Sequence, residues 1–257
     1  DQGPVESFTA TENGARYLLK QDGHVLEIGP RGGEQTRISN TTIPKIFEIM
    51  WSRDASKAIL KYTEGSNTRT ISAEFVATST KAVVLPQNII SFAFAPDRDR
   101  IAYLIPTSNG SRLITANPDN TRQTEIINLS FKDFDIFWPE KNSIYFLSRP
   151  SGLSTGFLFK YDLAKESLDK ILGDIAGLQV KFSADGQKFV YSAHDAGSLQ
   201  ARVYIYDLKT EKASDLQNTG LAEKCSFAET AKNIIYCAIS QNTIPAVYPD
   251  AWLKGEA

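Results

Sequence analysis

Apolar and polar residues alternate along this chain in short runs, and each run ends in a cluster of Asp, Asn, Gly, Pro or Ser. A period of two marks strands with one buried face, and such clusters mark turns. No window of a dozen residues carries a helical period; the nearest candidate, AKESLDKILG, contains a glycine stop and falls where a strand is due. The runs also repeat. A large aromatic stands just before a polar turn at Phe8, Trp51, Phe94, Phe137, Phe182 and Phe227, at spacings of 43, 43, 43, 45 and 45 residues. Seven residues later come Ala15, Ala58, Ile101, Ile144, Phe189 and Ile234, and nine later Tyr17, Leu60, Tyr103, Phe146, Tyr191 and Tyr236. The turns between read TENG, RDAS, PDRD, PEKN, ADGQ and ETAK. Asp, Asn, Gly and Pro suit them because they tolerate or preset turn dihedrals.

Each copy spells four strands. The aromatic ends the first, and IAYLI or KFVYSA exemplifies the second. HVLEIG, TRTISAEF, RLITANP, GFLFKYDL and RVYIYDL are third strands, and QTRIS, KAVVLP, QTEIIN, LDKILG and SDLQN are fourth strands. A four-strand unit recurring through the whole chain is the pattern of a β-propeller; a sandwich has no such period. The expected fold is all-β: one six-bladed propeller domain spanning 1–257, with four-stranded antiparallel blades over residues 1–43, 44–87, 88–129, 130–174, 175–219 and 220–257. The six aromatics before the turns are expected to be buried between neighbouring blades. Only 30 residues follow Phe227, and Pro245 and Pro249 disfavour inner strands. The last blade is therefore expected to be incomplete, its remainder lying beyond Ala257 or replaced by Pro4–Phe8.

Composition narrows the chemistry. The formal net charge is -2, and no window gathers Lys and Arg on one stripe, so no nucleic-acid footprint is expected. No apolar run approaches the roughly 18 residues of a bilayer span, so this chain is not expected to insert in a membrane. It starts at Asp1 rather than Met and reads as a trimmed product. With two histidines and two cysteines the ligand count is too low for a zinc site, and no cofactor is expected. Cys225 and Cys237 fall on adjacent strands of one hairpin. A simple register sets Cys225 opposite Tyr236 and turns Cys237 to the other face; a one-residue bulge would bring the two together. The residues alone leave that pairing open.

FSADGQKFVYSA and YIYDLKTEKASDL resemble the TolB-type propeller repeat, and the likeness extends over essentially the whole chain. It implies the fold and no particular activity. SNTTIPKIFEIMWS and LAEKCSFAETAKNIIYCAIS resemble a group of exported propeller proteins from bacteria of candidate phyla, which implies a periplasmic, surface or secreted location, with or without an upstream anchor.

Several motifs could carry chemistry. Gly152-Leu153-Ser154-Thr155-Gly156 matches the nucleophile-elbow pattern, but an elbow needs a helix after the serine, and FLFKYDL reads as a strand. His194-Asp195 lies in a loop, whereas triads assemble from distant segments. Glu6, Glu48 and Asp135 sit on first strands where they could line a central channel, but the three do not occupy one common repeat position. The loops joining second to third strands are longer and more varied than the turns: YTEGSNT, IPTSNGS, SRPSGLSTG, SAHDAGSLQ and, in the last copy, QNTIPAVYPDAWLKG. Varied loops on a rigid scaffold are where binding usually resides. Arg149, Ser154, His194, Tyr248 and Trp252 are therefore the expected ligand contacts. Arg149 offers a planar fork for a carboxylate, and Tyr248 and Trp252 offer apolar area with a polar tip. The expectation is a monomeric, exported, non-catalytic module that binds a protein, peptide or glycan. The second reading is a propeller hydrolase of the lactonase or glycosidase type, with its site at the channel mouth.

Overall fold

The computed structural model describes residues 4–76, 79–194, 201–228, 234–239 and 249–254. The chain gathers into two compact units, Asp1–Lys132 and Asp133–Ala257. The first unit holds three sheets. They are β1 (Val5–Thr11), β2 (Gly14–Leu19), β3 (Val25–Ile28) and β4 (Gln35–Arg37); then β5 (Ile46–Trp51), β6 (Lys57–Glu64), β7 (Asn67–Val76) and β8 (Ser79–Val84); then β9 (Ser91–Phe94), β10 (Ile101–Thr107), β11 (Gly110–Ala116) and β12 (Thr124–Leu129). The second unit holds β13 (Phe134–Glu140), β14 (Ser143–Ser148), β15 (Thr155–Asp162) and β16 (Ser167–Ala176); then β17 (Gln179–Phe182), β18 (Lys188–His194), β19 (Ala201–Asp207) and β20 (Lys212–Thr219). It ends with a two-stranded sheet, β21 (Cys225–Phe227) and β22 (Ile235–Cys237), and a short helix, α1 (Asp250–Leu253). Strands pair in chain order, antiparallel, within every sheet. The repeat read from the sequence thus folds as one four-stranded meander per copy in the first five copies, and LDKILG is a strand of β16.

In the second to fifth sheets the second strand carries at least four buried residues in succession, and β6 shows why. Ala58, Ile59, Leu60 and Lys61 are all buried in succession. Ala58 and Leu60 pack with Leu18 and Val25 of the first sheet, and Ile59 packs with Phe92, Ile101 and Tyr103 of the third. Alternate side chains of a strand point to opposite faces, and here both faces meet a neighbouring sheet. Lys61 follows the alternation toward the third sheet. Its ammonium donates to Glu48 at 2.7 Å and to the Ile90 carbonyl at 3.0 Å, and lies 5.0 Å from the Phe92 ring centre. A buried cation persists only with such partners.

The turn after the aromatic has the same internal design in the second and fifth sheets. In the fifth sheet the Ser183 hydroxyl donates to Asp185 and accepts from the Lys188 amide, with Gly186 at φ 68°. In the second sheet the Ser52 hydroxyl donates to Asp54 and accepts from the Lys57 amide, with Ala55 at φ 57°. RDAS lacks the glycine yet builds the same turn, holding a fully buried alanine in the left-handed region that disfavours a Cβ. Ala55→Gly is therefore expected to raise stability by about 0.5–1 kcal/mol, read as a higher urea midpoint. A lower midpoint would show that packing of the Ala55 methyl outweighs its backbone strain.

Three expectations need correction. Phe8 is 76% exposed rather than buried. The Trp51 indole donates to Ser7 at 3.1 Å, so Ser7 faces the second sheet and its neighbour Phe8 must face away from it. Trp51, Phe94, Phe137, Phe182 and Phe227 are only partly buried, packed beside the clusters rather than at their centres. Val5–Thr11 is committed to the first sheet by pairing with β2. The tail, expected as a loop, turns helical at Asp250, directly after Pro249, whose fixed φ suits the approach to a helix.

The register of the last sheet decides the cysteine question. Phe227 pairs with Ile235 rather than Ile234, one residue beyond the simple register, which sets Cys225 opposite Cys237, and they form a disulfide.

Candidate functional site

In a meander, the turns joining first to second and third to fourth strands share one end, and the second-to-third loops share the other with the links between sheets. In the second unit this loop end is tied together by specific bonds. Asp250, opening α1, accepts from the Ser151 hydroxyl at 3.1 Å and from the Gly152 amide at 2.6 Å, both in the β14–β15 loop. The Ser151 carbonyl accepts from the Gly177 amide at 2.8 Å, in the link between β16 and β17. Gly177 has φ 67° and lies beside the His194 ring, where any Cβ would run into the imidazole. The β14–β15 loop, α1, the Gly177 link and the end of β18 thus form one contiguous patch.

The residues singled out from sequence fall around it unevenly. His194 is half-buried against Gly177 at the end of β18. Ser154 is exposed in the β14–β15 loop, beside Leu153, which is 82% exposed. Arg149 is exposed where β14 ends, its amide donating to the Asp133 carbonyl at 3.2 Å. Trp252 lies on α1, so its backbone is carried to the patch by Asp250, but its side chain and all of Tyr248 lie outside the described residues. Asp250 and Ser151 were missed from sequence. Their signal was faint: a Pro-Asp step before a short apolar segment, and a Ser-Gly step in a loop.

The chemistry at the patch is hydrogen bonding and contact area. The glycine-flanked Ser154 is followed by β15 from Thr155 onward, not by a helix, so it has no elbow geometry. Of the first-strand carboxylates, Glu48 is paired with Lys61 at 2.7 Å and Glu6 with Lys20 at 3.3 Å. Among the described residues no three His, Cys, Asp or Glu side chains are grouped so as to hold a metal ion.

A second feature is a groove of about 510 Å³ in the first unit, between the second and third sheets at the turn end. One cross-strand row, Lys57–Glu74–Lys81, forms its floor, and the β9–β10 and β11–β12 turns form its wall. The row was legible only as polar positions in otherwise apolar strands, and it needs the register to become a row.

No family model matches the chain, and no curated protein matches it. Solved structures do. TolB from Acinetobacter baumannii is similar with a TM-score of 0.61 at 18% identity, over 81% of this chain and 52% of that one. The putative TolB from Agrobacterium tumefaciens is similar with a TM-score of 0.60 at 15% identity, over 86% and 83%. An oligogalacturonate lyase in complex with manganese gives a TM-score of 0.60 at 13% identity, over 81% and 63%. This chain therefore spans about half of the first structure and less than two thirds of the lyase. At such identities the likeness shows the fold: a β-propeller with four-stranded antiparallel blades. Five blades are four-stranded, and residues 220–257 contribute a two-stranded sheet among the described residues, where the sequence predicts an incomplete sixth.

Proposed function

We propose that this chain is a single six-bladed propeller domain that acts as an exported, monomeric, non-catalytic binding module. On this reading β21 and β22 open the sixth blade. Its partner is a protein, peptide or glycan, engaged by the loop end that carries Arg149, Ser154, His194, Tyr248 and Trp252. The observation that carries the reading is the Asp250 carboxylate, which draws α1 onto the β14–β15 loop and so sets the helix of Trp252 beside the loop of Ser154. A recognition surface gains affinity when its loops are held in place before the partner arrives. The disulfide supports export, because such bonds persist in oxidising compartments.

The enzymatic reading keeps one supporting observation: the similar structures include the lyase and an acylaminoacyl peptidase, although only 39% of the peptidase chain is covered. Capture from an envelope fraction and binding to a glycan array should both be run on the parent and on a variant with all five residues replaced by alanine. The variant is expected to lose its partner while its thermal midpoint stays nearly unchanged. Equal capture by both proteins would end the loop-end assignment. Turnover of a lactone or glycoside that one point mutation abolishes would end the non-catalytic one.

A further inference from the structure

The groove between the second and third sheets lies at the turn end, away from the loops discussed above, and the first unit alone contains it. Its volume of about 510 Å³ falls in the range of small-molecule sites. Lys57 closes the inner end, its ammonium 3.5 Å from Glu74 and 3.3 Å from Asp99, so the groove begins where this cation joins the two sheets. Burial pulls the Lys57 pKa down, but Asp99 and Glu74 outweigh it and the net shift is upward, so this bridge is charged at neutral pH.

Three groups in the groove are left over. Ser72 is 5% exposed and lines the floor, and its hydroxyl makes no hydrogen bond to the described residues. The rest of the residue is buried, so a hydroxyl that opens onto the groove without a protein partner is a group that a ligand can bond. Lys81, on the outer strand β8, stands opposite Glu74, but that carboxylate is engaged by Lys57, and no described carboxylate lies within 4 Å of the Lys81 ammonium. Asp119, on the opposite wall, has one oxygen bonded by the Thr121 hydroxyl at 2.6 Å and the Thr121 amide at 3.0 Å. Those bonds hold its carboxyl below the usual range, so it is ionised at neutral pH. No described cation lies within 4 Å of it.

A cation with no described carboxylate within 4 Å thus lines the same groove as an anion with no described cation within 4 Å, Arg122 acting on the anion only from farther off. We propose that this groove binds a zwitterionic ligand of the amino-acid or short-peptide class, its carboxylate at Lys81, its ammonium at Asp119 and a hydrogen bond at Ser72. A neutral sugar would leave both charges unmatched, and a simple anion or cation would match only one. Opposite charges placed in this way select by complementarity.

The probe is the dipeptide alanyl-alanine, titrated into isotopically labelled protein and followed by backbone amide shifts. Saturable shifts are expected at Ser72, Val83, Asn117 and Asp119. Acetylating the amino end or amidating the carboxyl end should each weaken binding by about tenfold, the scale of one charge-assisted contact. K81Q and D119N should do the same to the uncapped dipeptide. Both residues are at the surface, so thermal midpoints near the parent value will show that the fold is intact. Equal binding of the capped forms, binding of cellobiose at the same amides instead, or no shifts with any probe would each overturn the proposal. None of these results bears on the loop end of the second unit.

Discussion

Phe189→Ala is expected to lower the unfolding free energy by about 3–5 kcal/mol, the range for a large aromatic removed from a packed core. Phe189 is fully buried at the start of β18. Its ring stacks on Tyr206 at 4.9 Å and 10°, and meets Phe182 at 5.3 Å and Tyr191 at 6.1 Å. Phe182 in turn packs on Phe137 and Tyr145 of the preceding sheet, at 5.5 and 4.7 Å. Removing Phe189 therefore opens a void in the cluster that joins the fourth and fifth sheets, and the neighbours cannot all close in at once. Phe8→Ala is the internal control, since Phe8 is 76% exposed and its loss should cost well under about 1 kcal/mol. Urea midpoints for the two variants measure the contrast. Similar shifts would mean that burial in the second strands does not hold this fold together. Trp51, at the same repeat position as Phe8, should fall between them, because it is only partly buried and its indole nitrogen is spent on Ser7.

The comparison of Phe8, Trp51 and Phe189 also marks how far the sequence could be read. The repeat gave the strand order and the four-strand unit, because the period of two and the turn residues are local signals. It did not rank the aromatics by burial. Position in the repeat says where a residue sits on its own sheet, but burial depends on which faces a neighbouring sheet covers. Phe8 and Phe182 hold the same repeat position, yet Phe182 meets three rings and Phe8 is turned away from the second sheet. The candidate site shows the same limit. Loop length located the patch around Gly152 and His194, but the bond that draws α1 onto it joins Asp250 to residues 98 and 99 positions earlier. No spacing rule connects such a pair. The groove row needed a pairing register, and so did the disulfide, where one residue of offset separates facing cysteines from cysteines on opposite faces.

That offset leads to the second large effect. Loss of the Cys225–Cys237 bond is expected to destabilise the end of the second unit by about 2–3 kcal/mol, by the chain-entropy scale for a closed loop of this size, with cysteines 12 residues apart. Among the described residues, little else holds the last sheet. β21 and β22 pair over three rows, and a two-stranded hairpin alone is marginal in water. One face, with Cys225, packs with Val190 and Val203 of the fifth sheet, while Ile234 and Tyr236 are 45% and 66% exposed. Their counterparts in the fourth and fifth copies, Ile144, Phe146, Phe189 and Tyr191, are buried. The covalent link thus limits the unfolded chain where, among the described residues, only one face of the hairpin is packed. Urea unfolding of the oxidised protein should be compared with the dithiothreitol-reduced protein and with a variant carrying both Cys225→Ala and Cys237→Ala. The reduced protein and the variant should shift together to a lower midpoint, or show an early transition confined to the last sheet in hydrogen exchange at Ser226–Ala228 and Ile235–Ala238. If mass spectrometry confirms reduction and neither the midpoint nor the exchange at those amides changes, packing on the fifth sheet suffices to hold the hairpin, and the bond is not what secures it.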